Sequence, residues 1–341
     1  MPLSRRQAGR RATPDGRTVE SLATAERPLA ADDASQAAAV MRGGAMPRRG
    51  YAWWLAIRPK TLSVSVVPVL VGTSLAWSQQ AAVLWLPALV ALLAALLIQV
   101  GTNLHNDVAD FERGADGPQR LGPPRATAMG WLAATAVRRG AWIAFALAFN
   151  LGVYLVHHGG WPIVVIGLAS LAAGWAYSGG SRPIAGTAFG ESFVLLFFGV
   201  VAVSGSYYLQ TLSLAPAAVL AGAIVGLPAA AVITVNNTRD RESDARVGRR
   251  TLAVLCGRRA ACGIYAGELL LPFVLLPWLA MLSDRGFWLA LPSLALPLCL
   301  RQIARFRHAA GAAYNELLAD TARLQLLFAL LLAGGLLAGV P

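Results

Sequence analysis

Apolar residues run along this chain in long blocks broken by short polar connections. The blocks fall at 57–77, 83–106, 132–156, 160–178, 190–209, 214–237, 260–282, 286–300 and 321–339. Each approaches the roughly twenty residues that a helix needs to cross a hydrocarbon layer. The pattern predicts an all-α polytopic membrane protein of nine transmembrane helices. The eighth block is the shortest and carries Pro292 and Pro297.

The connections alternate in chemistry. Those at 78–82, 157–160, 210–214 and 283–286 are short and nearly uncharged. Those at 107–139, 179–189, 239–259 and 301–323 are longer and basic. If the amino-terminal arm belongs with the basic set, every one of the 29 Lys and Arg except Arg285 lies on one side. The excess of Lys and Arg in cytoplasmic loops then puts the amino terminus and the basic loops in the cytoplasm of a bacterial cytoplasmic membrane. Nine helices would leave Pro341 outside.

Composition agrees. The 341 residues are 56% hydrophobic, with mean hydropathy +0.56. Only 13% are charged, about half the share of a soluble domain. The net charge of +12 follows from topology and implies no nucleic acid. Cys256, Cys262 and Cys299 show neither CxxC nor zinc spacing. Residues 1–50 read as a disordered, basic cytoplasmic arm: no apolar run precedes Tyr51, so no secretory signal is present. Met41 and Met46 are alternative starts. Residues 51–341 read as the transmembrane domain.

Two acidic stretches follow apolar blocks. The first places Asn103, Asn106, Asp107, Asp110 and Asp116 at the end of the second block. The second places Asn236, Asn237, Asp240 and Asp244 at the end of the sixth. Spacings of three and four put each pair, Asp107 with Asp110 and Asp240 with Asp244, on one helix face. Both ends lie on the same membrane side, since even-numbered helices end where the chain began. Ionised groups near lipid are costly. The alternative to a site is a solvated helix end paired with nearby Arg.

Oxygen-only ligands favour a hard cation. Magnesium takes one or two carboxylates and fills its shell with water and phosphate oxygens. The expectation is a shared magnesium–diphosphate site with Asp107, Asp110, Asp116, Asp240 and Asp244 as ligands. Arg113, Arg120, Arg125, Arg239, Arg241, Arg246, Arg249 and Arg250 surround it. Arginine grips phosphate at two points, although any cytoplasmic loop also collects arginines.

These residues resemble the UbiA superfamily of intramembrane prenyltransferases. That family's first motif, Asn-Asp-x-x-Asp, reads here Asn106-Asp107-Val108-Ala109-Asp110, and its second, Asp-x-x-x-Asp, spans Asp240 to Asp244. Within the superfamily the chain is similar to the dihydroxynaphthoate polyprenyltransferase group of menaquinone biosynthesis. The similarity lies in Arg58-Pro59-Lys60-Thr61-Leu62, in Gly190-Glu191-Ser192-Phe193-Val194 and in Gly248-Arg249-Arg250-Thr251-Leu252. His105 stands where a small residue is usual, Val108 where Tyr is usual, and Arg249 where Lys is usual.

The resemblance implies nine helices around a central cavity and a magnesium-dependent transfer of a polyprenyl group to an aromatic acid. It makes Asp107, Asp110, Asp240 and Asp244 catalytic. Asn103, Asn106, Arg58, Lys60, Arg120, Arg125, Asn237, Arg239 and Arg249 become substrate-binding. Trp175, Tyr177, Tyr207 and Tyr208 are candidate walls for an allylic cation or members of an interfacial aromatic belt. Arg58 and Lys60 either hold the acceptor's carboxylate or anchor the first helix. The implied partners are the two substrates and the bilayer, with no obligate protein partner. The rival classes are a different acceptor ring (hydroxybenzoate, haem or a secondary metabolite) and a cation-coupled transporter. Transporter sites lie near the bilayer midplane, where this chain carries chiefly Glu268.

Overall fold

The computed structural model describes residues 47–80, 82–117 and 120–338. Most of the expected arm, residues 1–46, lies outside the described residues, as does Pro341. All nine apolar blocks are helical. The first is broken: α1 (Arg49–Ile57) and a 3₁₀ turn (Pro59–Thr61) meet α2 (Ser63–Gln80) at 46°. Arg58, between α1 and the 3₁₀ turn, adopts the left-handed conformation with φ 58° and ψ 66°.

Then come α3 (Trp85–Glu112), α4 (Ala134–Gly159) and α5 (Trp161–Ala176). Next is α6 (Gly190–Thr211), which widens to π geometry over Leu195–Val201. The chain continues through α7 (Pro216–Arg239), the short α8 (Arg241–Arg246) and α9 (Leu252–Ser283). It ends with α10 (Gly286–His308), whose first half is 3₁₀, and α11 (Ala313–Leu337).

Among the described residues seven helices are long and apolar enough to cross a membrane, or eight with the bent α1–α2 pair counted as one span. The expected nine requires α5 as well. At 16 residues α5 is about 24 Å long, short of a hydrocarbon layer about 30 Å thick. The chain is an integral membrane protein.

The helices wrap around α7, whose apolar window is 72% buried against 28% for α3 and α4. Composition explains its place. Gly222 and Gly226 are four apart, and they admit the π turn of α6 so closely that a Cβ on Gly199 would lie 2.5 Å from the Gly222 carbonyl oxygen. Small residues at this spacing are how membrane helices approach when lipid gives no hydrophobic drive between them. Gly72 does the same for α2 against α6, with a Cβ there 2.5 Å from the Val203 carbonyl. On the other flank, Leu75, Ile224, Leu269, Leu279 and Leu332 pack α2, α7, α9 and α11 into one core, and Tyr265 stacks on Phe306 at 4.3 Å.

Candidate active site

One face of α3 carries Ala95, Ile98, Gln99, Thr102, Asn103, Asn106 and Asp110, and all of them line a cavity of about 210 Å³. Steps of three and four keep these residues on one stripe. At 1.5 Å per residue, Ala95 to Asp110 spans about 22 Å, so the stripe runs from apolar to charged along most of the helix. The same gradient repeats on α7, from Ala229 through Ile233, Asn236 and Asn237 to Asp240, and α6 adds Phe193, Phe197 and Phe198. The cavity is therefore apolar and aromatic in its depth and charged at its mouth.

At the mouth, α3 continues through both carboxylates of the first motif and stops at Gly114, whose φ of 66° permits the left-handed turn that caps it. Asp110 points into the cavity and is gripped by two arginines: Arg125 at 3.0 Å and Arg249. Asp107, three residues earlier, does not line the cavity. It is 1% exposed and accepts the backbone N–H groups of Ala126 and Thr127 at 3.2 Å each, together with the Thr127 hydroxyl. Asp107 thus holds the connection between α3 and α4 against the helix. Asp116 also lies off the cavity, paired with Arg120 and, at 3.7 Å, with Arg125. Its Oδ2 is buried without a partner.

The second motif does not continue one helix. α7 ends at Arg239, Asp240 lies at the junction, and α8 begins again at Arg241. The Asp244 N–H donates to the Asp240 carbonyl at 2.8 Å, which keeps both carboxylates at the cavity. Gly248, with φ 75°, then reverses the chain, and the Arg249 N–H returns to the Asp244 carbonyl at 2.9 Å. This turn lays the Arg249 side chain across the mouth, where it bridges Asp110 and, at 3.2 Å, Asp244. Asp240 pairs with Arg239 at 2.6 Å, and Arg239 also donates to Asn315 and Asn236, at 2.9 Å each.

Burial pushes the carboxyls of Asp116 and Asp244 up to about 6, against the opposing pull of Arg120 and Arg249 respectively. For Arg249, burial lowers the pKa, but pairing with Asp110 and Asp244 more than offsets it and the guanidinium is raised.

The structure brings Asp110, Asp240, Asp244, Asn103, Asn106, Asn237, Arg58, Arg120, Arg125 and Arg249 together around one cavity. Lys60 is exposed and does not line it, nor does Arg239, which acts through Asp240. Asn103 is committed to the bend, donating to the Ile57 carbonyl at 2.8 Å. Of the four aromatic candidates only Tyr177 reaches the cavity. Tyr207 and Tyr208 donate to Gln79 at 2.5 Å and to the Gly159 carbonyl at 3.0 Å, and Trp175 stacks on His105. The aromatic wall missed in the sequence is Phe193 and Phe197, with centroids 4.5 Å apart and Tyr177 5.9 Å from Phe193. Their spacing of four on α6 was the available signal.

No cluster of three His, Cys, Asp or Glu side chains already gathered as a metal site occurs among the described residues. The donors at the mouth are nonetheless oxygens of Asp and Asn only, which suits magnesium. Each cavity carboxylate holds an arginine in the position of its counter-cation.

Comparison with known proteins agrees with this architecture. The model of the UbiA prenyltransferase family matches residues 65–327. The 1,4-dihydroxy-2-naphthoate octaprenyltransferase of Escherichia coli is 36% identical over 266 residues, covering 74% of this chain and 84% of that one. The protein of the same name from Mycobacterium tuberculosis is 34% identical and covers 84% of this chain and 97% of its own. Among solved structures, a UbiA homologue from Archaeoglobus fulgidus bound to GPP and Mg2+ superposes with a TM-score of 0.60 at 14% identity, covering 84% of this chain and 99% of that one. An apo UbiA homologue from Aeropyrum pernix K1 gives 0.60 at 15% identity, over 80% and 96%. At these identities the solved structures carry the fold.

Proposed function

Since the chain belongs to the UbiA prenyltransferase family, we propose that it moves a polyprenyl group from its diphosphate onto 1,4-dihydroxy-2-naphthoate, releasing diphosphate and CO2, as a step of menaquinone biosynthesis. The observation that carries this reading is the graded cavity. A polyprenyl diphosphate is itself charged at one end and apolar along its length, and it fits the stripe on α3 end for end.

The residues divide the work. Arg120, Arg125 and Arg249 line the mouth and supply donors for the anionic diphosphate, and Arg58 offers a cation to the acceptor's carboxylate. Asp110, Asp240 and Asp244 would hold magnesium there, with Asn106 beside them. Bound magnesium supplies charge neutralisation to the departing diphosphate. Phe193, Phe197, Phe198 and Tyr177 offer π faces to the allylic cation left when the C–O bond breaks. They also keep water from it. The ring carbon bearing the carboxylate attacks the cation, a C–C bond forms, and the carboxylate leaves as CO2. The electron pair it leaves behind restores the aromatic ring.

The Lys and Arg of the basic connections support an orientation with the mouth and the diphosphate on the cytoplasmic side of the membrane. A cation-coupled transporter is disfavoured because the carboxylates gather at the ends of α3 and α7. Purified protein, magnesium, a polyprenyl diphosphate and a panel of aromatic acids, read by mass spectrometry, test the reading. The expected product from dihydroxynaphthoate weighs less than the summed substrates by diphosphate plus CO2. A product that keeps its carboxyl group, or conversion of hydroxybenzoate in preference, would replace the acceptor.

A further inference from the structure

Asn236 and Asn237 are adjacent on α7, both line the cavity, and each is locked at one end by a partner of opposite character. The Asn236 Oδ1 accepts from the Arg239 Nη2 at 2.9 Å. A guanidinium only donates, so the NH2 of Asn236 is the end left for a ligand. The Asn237 Nδ2 donates to the Glu191 Oε1 at 2.9 Å. A carboxylate only accepts, so here the amide oxygen is the end left over. That oxygen has no hydrogen-bond partner among the described residues, and Asn237 is only 5% exposed.

Glu191 is likewise 5% exposed, and its second oxygen has no partner. Burying a carboxylate is costly unless it is paired and hydrogen-bonded, and the Asn237 amide is the partner that Glu191 Oε1 holds. Glu191 lies on α6 three residues before Val194, which lines the cavity, and Ile233 lines it one turn before Asn237. The amide therefore sits where the charged mouth gives way to the apolar depth, at the level an aromatic ring would occupy.

We propose that Glu191 is a positioning residue: by holding the Asn237 NH2 it fixes the carboxamide with its oxygen toward the cavity, where that oxygen accepts a hydrogen bond from a ring hydroxyl of the acceptor. The inference rests on the acceptor class proposed above and adds the reason a hydroxylated ring is chosen. A ring without the hydroxyl leaves the Asn237 oxygen buried and unpaired, which costs about tenfold in affinity.

The test is equilibrium binding of 1,4-dihydroxy-2-naphthoate and of 2-naphthoate, measured anaerobically by quenching of intrinsic tryptophan fluorescence. The wild-type protein should prefer the dihydroxy acid by about tenfold. Glu191→Gln frees the amide to rotate, because glutamine both donates and accepts, and the preference should fall toward one. The double variant Glu191→Gln/Asn237→Asp keeps the net charge, gives residue 191 the donor and residue 237 the acceptor, and should restore the preference. The KM for the prenyl diphosphate should stay within twofold in Glu191→Gln, and thermal unfolding checks that each variant is folded. A preference retained in Glu191→Gln, an equal loss for both acids, or a double variant that fails to recover would each overturn the inference. Were the wild-type protein to bind neither naphthoate, the acceptor class would fall and this inference with it.

Discussion

Arg249 and Asp110 stand 139 residues apart in the chain, yet their side chains form an ion pair at the mouth of the cavity. Through its other nitrogen Arg249 reaches Asp244, so a single guanidinium joins the two acidic motifs. The planar fork meets the two carboxylates through separate nitrogens, whereas an ammonium would have to serve both from one. Arg249→Ala should lower kcat/KM for the prenyl diphosphate by about ten- to a hundredfold, and Arg249→Lys should recover only part of it. Steady-state kinetics with the aromatic acid saturating decides it; a lysine variant with full activity would remove the bridging role.

Asp110 and Asp107 belong to one motif but face different duties, and variants should separate them. Asp110→Asn, Asp240→Asn and Asp244→Asn should lose most turnover while unfolding near the wild-type temperature. Asp107→Asn gives up charged acceptance from Ala126 and Thr127 and should lose about 2–3 kcal/mol of stability. Thermal unfolding in detergent, with protease sensitivity of the connection between α3 and α4, reads the difference. EDTA should abolish turnover and magnesium restore it.

Stability should respond to pH in an unusual direction. The ordinary aspartate value is 3.8, and in the folded, metal-free protein Asp116 and Asp244 stand at about 6. Between about pH 4 and 6 the folded protein therefore binds more protons than the unfolded chain, so stability rises as the pH falls through 6 and levels off near 4. The EDTA-treated protein should melt higher at pH 5 than at pH 7.5, and Asp244→Asn should flatten that slope. A melting temperature that falls steadily with acidification would count against the burial argument.

Arg58 lines the cavity from a left-handed backbone position. Arg58→Ala should raise the KM for the aromatic acid and leave that for the prenyl diphosphate nearly unchanged. Arg58→Gly should show the same kinetics but unfold later than the alanine variant by about 1 kcal/mol, because glycine takes φ of 58° without strain. Equal stability of the two would mean the bend does not depend on this conformation.

The helical blocks were legible in the sequence because lipid imposes a simple rule on length and polarity. The two acidic motifs were legible because carboxylates are rare in such a chain. The hydrogen bonds of Asp107 were not: an aspartate that holds backbone N–H groups and one that meets a cation look alike in a string of letters, and only the fold of residues 120–133 shows Asp107 accepting from Ala126 and Thr127. The left-handed backbone of Arg58 was hidden because a non-glycine residue gives no warning of a positive φ. Lys60 was grouped with Arg58 by proximity, yet the 3₁₀ turn after the bend leaves it exposed. Nor does alternation of loops reveal that α5 is the run too short to count by length alone.

The tight seam of Gly199 with Gly222 and Gly226 bears on how this protein could be re-engineered for a different prenyl length. The seam lies behind the cavity and fixes α6, with Phe197 and Phe198, against α7, with Ala229; any atom added to these glycines meets backbone. Room is more readily gained or lost on α3 and α5, where Ala95, Ile98, Ser170 and Ala173 line the cavity with small or modest side chains. Bulky replacements there should shorten the accepted chain, and trimming Ile98 should lengthen it, while the glycine seam acts as the fixed jaw of the vice.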